Sequence, residues 1–150
     1  MGELDIYSYK KLCADLDVPV MATELPMSGF DSYAIWITER ATDILRGDVP
    51  LKGGITTMIK TAHLAEAFGL QYEIHHGQNP LNNVAGLHVA MAIKNCEFYE
   101  WILPEGVNQY ALAEPFGPDK NGLLHAPMKP GLGIEIDFDL IKKKTISVLR

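Results

Sequence analysis

Apolar positions recur along this chain in two alternating rhythms. A spacing of three to four, as in Ile6, Tyr9, Leu12, Cys13 and Leu16, predicts amphipathic helices, and the short apolar runs between them predict strands. The first helix, Ile6–Leu16, leads into the run VPVMA, a strand that stops at Thr23-Glu24. A Pro- and Gly-containing loop, LPMSG, then precedes a helix through YAIWITERA, with Asp31 or Ser32 as its cap. The next strand, Ile44–Arg46, leaves through Gly47-Asp48-Val49-Pro50. Gly53-Gly54 permits a tight turn into a helix whose apolar face is Ile55, Met58, Ile59, Ala62, Leu64 and Ala65, with Thr56 serving its first turn and Gly69 as its stop. Strand Leu70–Ile74 delivers His75-His76. After Asn79-Pro80 comes an almost wholly apolar helix, VAGLHVAMAI, capped by Asn82 or Asn83, and then a fourth strand, Cys96–Glu100.

Strand followed by helix, with a period of about 25 residues, is the pattern of an α/β fold with a parallel sheet. After Trp101 the texture changes to Pro- and Gly-rich segments without helical periodicity as far as Asp137. The expected organisation is therefore a unit of four strand–helix repeats over 1–101. A tail over 102–150 wraps away from it before the Asp139–Leu149 segment.

Composition narrows the classes. The chain has 150 residues, 47% hydrophobic and 21% charged, which suits one globular unit. A net charge of −6 argues against a nucleic-acid partner, and the only basic block, Lys142-Lys143-Lys144, reads as a solvated helix end. No apolar run approaches the roughly 20 residues that span a bilayer, so no membrane partner is expected. Cys13 and Cys96 have no paired spacing and read as reduced core thiols of a cytoplasmic protein.

The chemistry sits at the strand ends. Four successive apolar runs finish at Glu24, Asp48, His75 and Glu100. Each alone has a plain structural explanation as a cap or a solvated loop residue. Four in register are different, because the ends of parallel strands converge on one centre. An Asp48–His75 pair makes a general base, the carboxylate fixing the tautomer of the imidazole. A glutamic acid kept protonated by burial, with Glu100 the candidate, donates a hydrogen bond to a developing oxyanion. One glutamate alone is a poor Mg²⁺ site. The set suits proton abstraction beside a carboxylate, through an enediolate. His76 rivals His75, Glu73 shares the parity of His75, and Glu97 rivals Glu100. His63, His88 and His125 show no partner pattern, and no His or Cys cluster has zinc-ligand spacing.

With these residues in view, the chain resembles the C-terminal part of the enolase superfamily, in its mandelate racemase/muconate lactonizing enzyme branch. The matching pieces are VPVMATE, GDVPLKGGIT with the helix ending in AEAFG, YEIHHGQNPLNNVAGLHVA, NCEFYE and PMKPGLGIEID, from about Val18 to Asp137. The resemblance implies the C-terminal half of a modified (β/α)₇β TIM-like barrel with the tail of a capping domain. It also implies Mg²⁺ as cofactor. By it Glu24 matches a metal ligand, Asp48 and His75 the base dyad, and Glu100 an acid that hydrogen-bonds the substrate carboxylate. The family's other metal ligands and its lysine motif have no counterpart among these residues.

The expected activity is Mg²⁺-dependent abstraction of the proton α to a carboxylate, as a sugar-acid dehydratase. The alternatives are a 2-hydroxy-acid racemase or epimerase, with its second base elsewhere, and a non-catalytic barrel fragment. The expected partners are a small-molecule carboxylate, the missing N-terminal half of the barrel and further copies of the chain in a homo-oligomer. MGELDIYSYKKL enters a helix with no strand before it, and a barrel of this kind needs about 250 residues. The chain is therefore expected to be a fragment, inactive alone, with the substrate-selecting loops upstream of Met1.

Overall fold

The computed structural model describes residues 5–24, 29–77, 79–104, 106 and 109–148. Three parallel strands form one sheet in chain order: β1 (Met21–Ala22), β2 (Ile44–Gly47) and β3 (Gln71–Ile74). Met21 lies beside Ile44, and β2 runs against β3 with Leu45 opposite Tyr72, Arg46 opposite Glu73 and Gly47 opposite Ile74. Because side chains alternate across a strand, Leu45, Tyr72 and Ile74 turn to one face, and Arg46 and Glu73 to the other.

Helices cover the first face. They are α1 (Ile6–Asp15), α2 (Asp31–Thr38), α3 (Ile55–Ala67) and α4 (Pro80–Ala92). One buried cluster joins Leu45, Tyr72 and Ile74 to Trp36 of α2, Met58 and Ala62 of α3 and Val89 of α4. Each large side chain so buried contributes about 1.5–3 kcal/mol by leaving water. Tyr9 of α1 closes the cluster with its ring edge-on to Trp36, centroids 5.1 Å apart. Gly47 has a steric reason to be glycine: a Cβ there would run into the hydroxyls of Tyr33 and Tyr72. Those hydroxyls are 3.1 Å apart, and the Tyr72 hydroxyl reaches Met58 Sδ at 2.8 Å.

Local signals set the helix starts, with some departures from the sequence reading. Asp5 caps α1 through the Ser8 N–H (3.1 Å), and α1 ends at Asp15. Neither Asp31 nor Ser32 caps α2; Phe30 is the capping residue, Asp31 lies in the first turn, and the Ser32 hydroxyl donates to the Gly29 carbonyl (2.9 Å). Gly54, at φ 93°, opens α3 with no side-chain cap, and Thr57 instead of Thr56 bonds back, to the Gly53 carbonyl. Asn79 caps α4 by accepting from the Asn82 N–H (3.0 Å), with Pro80 in the first turn. Asn82 and Asn83 are therefore not caps but buried helical residues. The Asn83 Oδ1 holds the Gly77 N–H at 2.6 Å and pins the turn after His76.

Two expected strands are reduced. VPVMA pairs only at Met21–Ala22, because Pro19 has no N–H and the Val20 N–H is taken by the Asp43 carboxylate (2.8 Å). Cys96–Glu100 forms no ladder. The buried Glu73 carboxylate intervenes, accepting the Glu97 N–H at 3.0 Å, so a side chain takes the donor that a neighbouring strand's carbonyl would hold. The segment still lies along β3, with Tyr72 N–H donating to the Asn95 carbonyl (2.7 Å). Cys13 and Cys96 are both free and half-buried; Cys96 packs against the core cluster, and Cys13 lies outside it. Burial, reinforced by the Glu73 charge, pushes the Cys96 thiol up to about 12.

Beyond Trp101 the described chain is irregular, as expected, with one antiparallel bridge between Leu112 and Ile136. The terminal helix is α5 (Phe138–Lys144), capped by Asp137 on the Leu140 N–H (2.8 Å). Lys142, Lys143 and Lys144 sit in its last turn, where cations favour the helix dipole. Leu149, at the end of the segment anticipated from sequence, lies outside the described residues, as do residues 25–28 of the stretch expected as a loop. Among the described residues no helix is long and apolar enough to cross a membrane.

Candidate active site

All three strands run the same way, so their C-terminal tips share an edge. The His75 N–H donates to the Gly47 carbonyl at 2.8 Å, which carries the pairing of β2 and β3 one step past the strands. That step sets Asp48 beside His75. Asp48 is fully buried; its Oδ1 accepts the Leu51 N–H at 2.9 Å, and its Oδ2 lies 3.1 Å from His75 Nδ1. A carboxylate only accepts, so the arrangement assigns the ring proton to Nδ1 and leaves Nε2 as the basic atom. His75 Nε2 stands 3.3 Å from Glu24 Oε1, with the imidazole 18% exposed.

Arg46 completes the cluster. Its Nε lies 2.7 Å from Glu24 Oε2, and its Nη2 lies 2.7 and 2.8 Å from the two oxygens of Glu100. Glu100 also accepts the His76 N–H at 3.0 Å. Burial alone would raise the Glu100 carboxyl, but the hydrogen bonds from Arg46 and His76 and the Arg46 charge outweigh it and hold the group below its usual range. Glu100 is therefore an ionised acceptor here, not the protonated donor considered from sequence. Burial also works against the Arg46 cation, yet Glu100 and Glu24 together hold its pKa above the ordinary value. Lys52 is wholly buried, its Nζ 5.2 Å from the Tyr33 ring centroid. Burial lowers its pKa against the opposing pull of Asp48 and Glu24.

The structure thus brings together Glu24, Asp48, His75 and Glu100, the residues expected from sequence. It separates their rivals. His76 is buried and stacked on Tyr99 at 3.7 Å, and burial pushes its pKa down to about 3, which keeps the ring neutral. Glu73 turns to the N–H groups after Cys96, and Glu97 lends that contact only its backbone. His88 meets the Leu132 carbonyl (3.0 Å), and His125 pairs with Asp119 on the surface (3.0 Å). Sequence reasoning passed over Arg46 and Lys52. Parity points to the first: two residues before Asp48 on one strand, its side chain shares that face. Lys52 lies in a loop, and no periodicity marks it.

Among the described residues no group of three His, Cys, Asp or Glu side chains is placed to hold a metal ion. Glu24 faces the centre alone, one oxygen against Arg46 and the other against His75. That donor set does not fit a Mg²⁺ site, which takes several oxygens and waters.

Parallel strands flanked by helices, with an Asp–His pair and further acids at the carboxyl tips, define a portion of a β/α-barrel enzyme scaffold. Residues 2–140 match the family described as enolase C-terminal domain-like. A D-galactonate dehydratase of Cronobacter sakazakii is 33% identical over 139 residues, covering 89% of this chain and 36% of the relative. The crystal structure of D-glucarate dehydratase from Agrobacterium tumefaciens complexed with magnesium is 40% identical with a TM-score of 0.82, covering 95% of this chain and 38% of that one. A mandelate racemase/muconate lactonizing enzyme-like protein from Roseovarius shares the fold at a TM-score of 0.85 and 24% identity, over 95% of this chain and 36% of that one. The chain belongs to the enolase superfamily, in its mandelate racemase/muconate lactonizing enzyme branch. It spans little more than a third of the length of these relatives.

Proposed function

We propose that this chain carries the base side of a sugar-acid dehydratase. The observation that bears most weight is the His75–Asp48 contact at 3.1 Å, with the carboxylate fully buried and the opposite ring nitrogen turned toward Glu24. His75 Nε2 takes the proton from the carbon α to the substrate carboxylate, and the C–H pair of electrons passes into an enediolate. Asp48 holds Nδ1–H and stabilises the imidazolium. The same Nε2 proton is then delivered to the 3-hydroxyl, which leaves as water, and the resulting enol tautomerises to a 2-keto-3-deoxy acid. Glu100, ionised beside Arg46, orients the substrate by accepting from one of its hydroxyl groups.

Support for a sugar-acid substrate comes from the relatives that act on D-galactonate and D-glucarate. Mg²⁺ is the proposed cofactor of the whole protein, with Glu24 as one ligand and the others outside this chain. The magnesium complex of the Agrobacterium relative supports it. The barrel portion is assigned to 1–101 and the tail to 102–150, in a cytoplasmic homo-oligomer that completes the barrel with its N-terminal half.

The test is turnover of D-glucarate and D-galactonate by the whole protein and its His75→Asn variant. Formation of the 2-keto-3-deoxy product, lost at least about a thousandfold in the variant, is the expected result. Exchange of solvent deuterium into the α-carbon with no loss of water would replace dehydration by racemisation.

A further inference from the structure

Beside the site, one residue stands in a backbone conformation that its side chain resists. Thr23, the residue before Glu24, is buried and has φ 84°, in the left-handed region that a β-branched residue rarely adopts. We propose that Thr23 is a positioning residue: its hydroxyl, bonded to the backbone of Arg46, holds this turn of the chain and so brings the Glu24 carboxylate into the centre. The proposal rests on the reading of Glu24 as a residue of the site.

Two observations carry it. The first is strand parity. Ala22 pairs with Leu45, and both belong to the buried cluster on the helix side. Regular alternation carried past Ala22 would send Glu24 to that same side. Glu24 stands instead on the opposite face, its Oε2 2.7 Å from Arg46 Nε and its Oε1 3.3 Å from His75 Nε2. Asp48 and His75 reach that face by plain alternation from Leu45 and Ile74. Of these three tip residues Glu24 alone requires a break in the alternation, and the break falls at Thr23.

The second observation is what offsets the strain. The Thr23 hydroxyl accepts the Arg46 N–H at 3.0 Å and turns its own proton to the carbonyls of Arg46 (2.8 Å) and Ala22. A side chain thereby takes the place of the next backbone step of the ladder, just past the pair of Ala22 and Leu45. Strained residues persist where their surroundings over-determine them, and they gather at functional sites. Strain and hydroxyl respond differently to substitution. Thr23→Gly loses the hydroxyl but adopts φ 84° at no steric cost. Thr23→Val keeps the branched shape and sets a methyl against the Arg46 N–H and carbonyl, so extended backbone becomes its easier state.

The probe is the Arg46 Nε–H resonance of the whole protein, recorded with EDTA present. Glu24→Gln is expected to move it in the parent, because the carboxylate lies 2.7 Å away. The same substitution is expected to move it in Thr23→Gly and Thr23→Ser, and to leave it in place in Thr23→Val, where Glu24 has left Arg46. Turnover of a sugar acid is expected to fall about a hundredfold in Thr23→Val, the scale of a misplacement by about 1 Å, and to stay near the parent in Thr23→Ser and Thr23→Gly. A hydroxyl that merely stabilised the sheet would make Thr23→Gly at least as damaging as Thr23→Val, and that order overturns the proposal. A resonance unmoved in the parent, or still moved in Thr23→Val, overturns it too. If Thr23→Val fails to fold, Thr23→Ala, with a Cβ and no hydroxyl, is expected to lose the response, and a response that survives there has the same force. A Glu24→Gln variant that shifts the resonance in this pattern yet keeps full turnover upholds the placement by Thr23 and sinks the reading of Glu24 as a site residue.

Discussion

The two faces of the small sheet are built from the same strands and behave oppositely. On the helix side, Leu45, Tyr72 and Ile74 meet Met58, Ala62 and Val89, and the hydroxyl pair of Tyr33 and Tyr72 is the notable polar contact. On the other side, Arg46 and Glu73 project from the intervening positions, the strand tips add Glu24, Asp48 and His75, and the segment beside β3 adds Glu100. The apolar face gains from area removed from water, which is non-directional and tolerates change of shape. The polar face holds only while each charge has a partner in the right geometry, since an unmatched buried ion is costly. A change on the first side should therefore register as stability, and a change on the second as chemistry.

The contrast is sharpest at Asp48. Replacing it by asparagine lets the side chain donate to Nδ1 and favours the wrong tautomer of His75. The turnover number of the whole protein against a sugar acid is expected to fall about 10⁴-fold, the scale seen when a triad aspartate is amidated. Leu45→Ala, from the same strand but the opposite face, is expected to lose about 2–5 kcal/mol in urea unfolding while turnover of the folded fraction is unchanged. Equal damage to activity in both variants would erase the distinction between the faces.

A smaller effect is expected from Glu73→Gln, on the polar face but outside the cluster. Its carboxylate holds the Glu97 N–H at 3.0 Å, and weakening that contact should cost about 1–3 kcal/mol of stability with turnover retained. A further test uses pH. Burial keeps folded His76 at about 3 against 6.5 for the free side chain. Between those values the unfolded chain binds a proton that the folded one refuses. The His76 contribution is therefore full above 6.5 and declines as pH falls toward 3, by at most about 1.4 kcal/mol per pH unit. Urea midpoints measured across this range should fall less steeply for His76→Phe than for the parent. Parallel curves would show that His76 is not kept neutral by the fold.

Much of the site is legible along the chain because strand tips are local features. An apolar run ending in Asp48 or His75 marks itself, and the parallel arrangement follows from strand–helix alternation. What was missed depends on neighbours far away in sequence. The segment Cys96–Glu100 reads as a strand by composition, yet Glu73, 24 residues before Glu97, takes its backbone donor. VPVMA is shortened because the Asp43 carboxylate, 23 residues on, takes the Val20 N–H. Asn82 and Asn83 read as caps, but Asn79 precedes them with the better geometry, and packing buries them inside the helix.

The amino-acid sequence by itself determined the alternation of strands and helices and the four titratable residues at the tips. Both are written in spacing and residue type within short windows. Only the tertiary structure decided that Arg46 would tie Glu24 to Glu100 and that Glu100 would be ionised. It alone decided that His75 would face the centre while its neighbour is buried neutral. Charge and protonation depend on distance, dielectric and partners, and residues 54 positions apart acquire those only when the chain has folded.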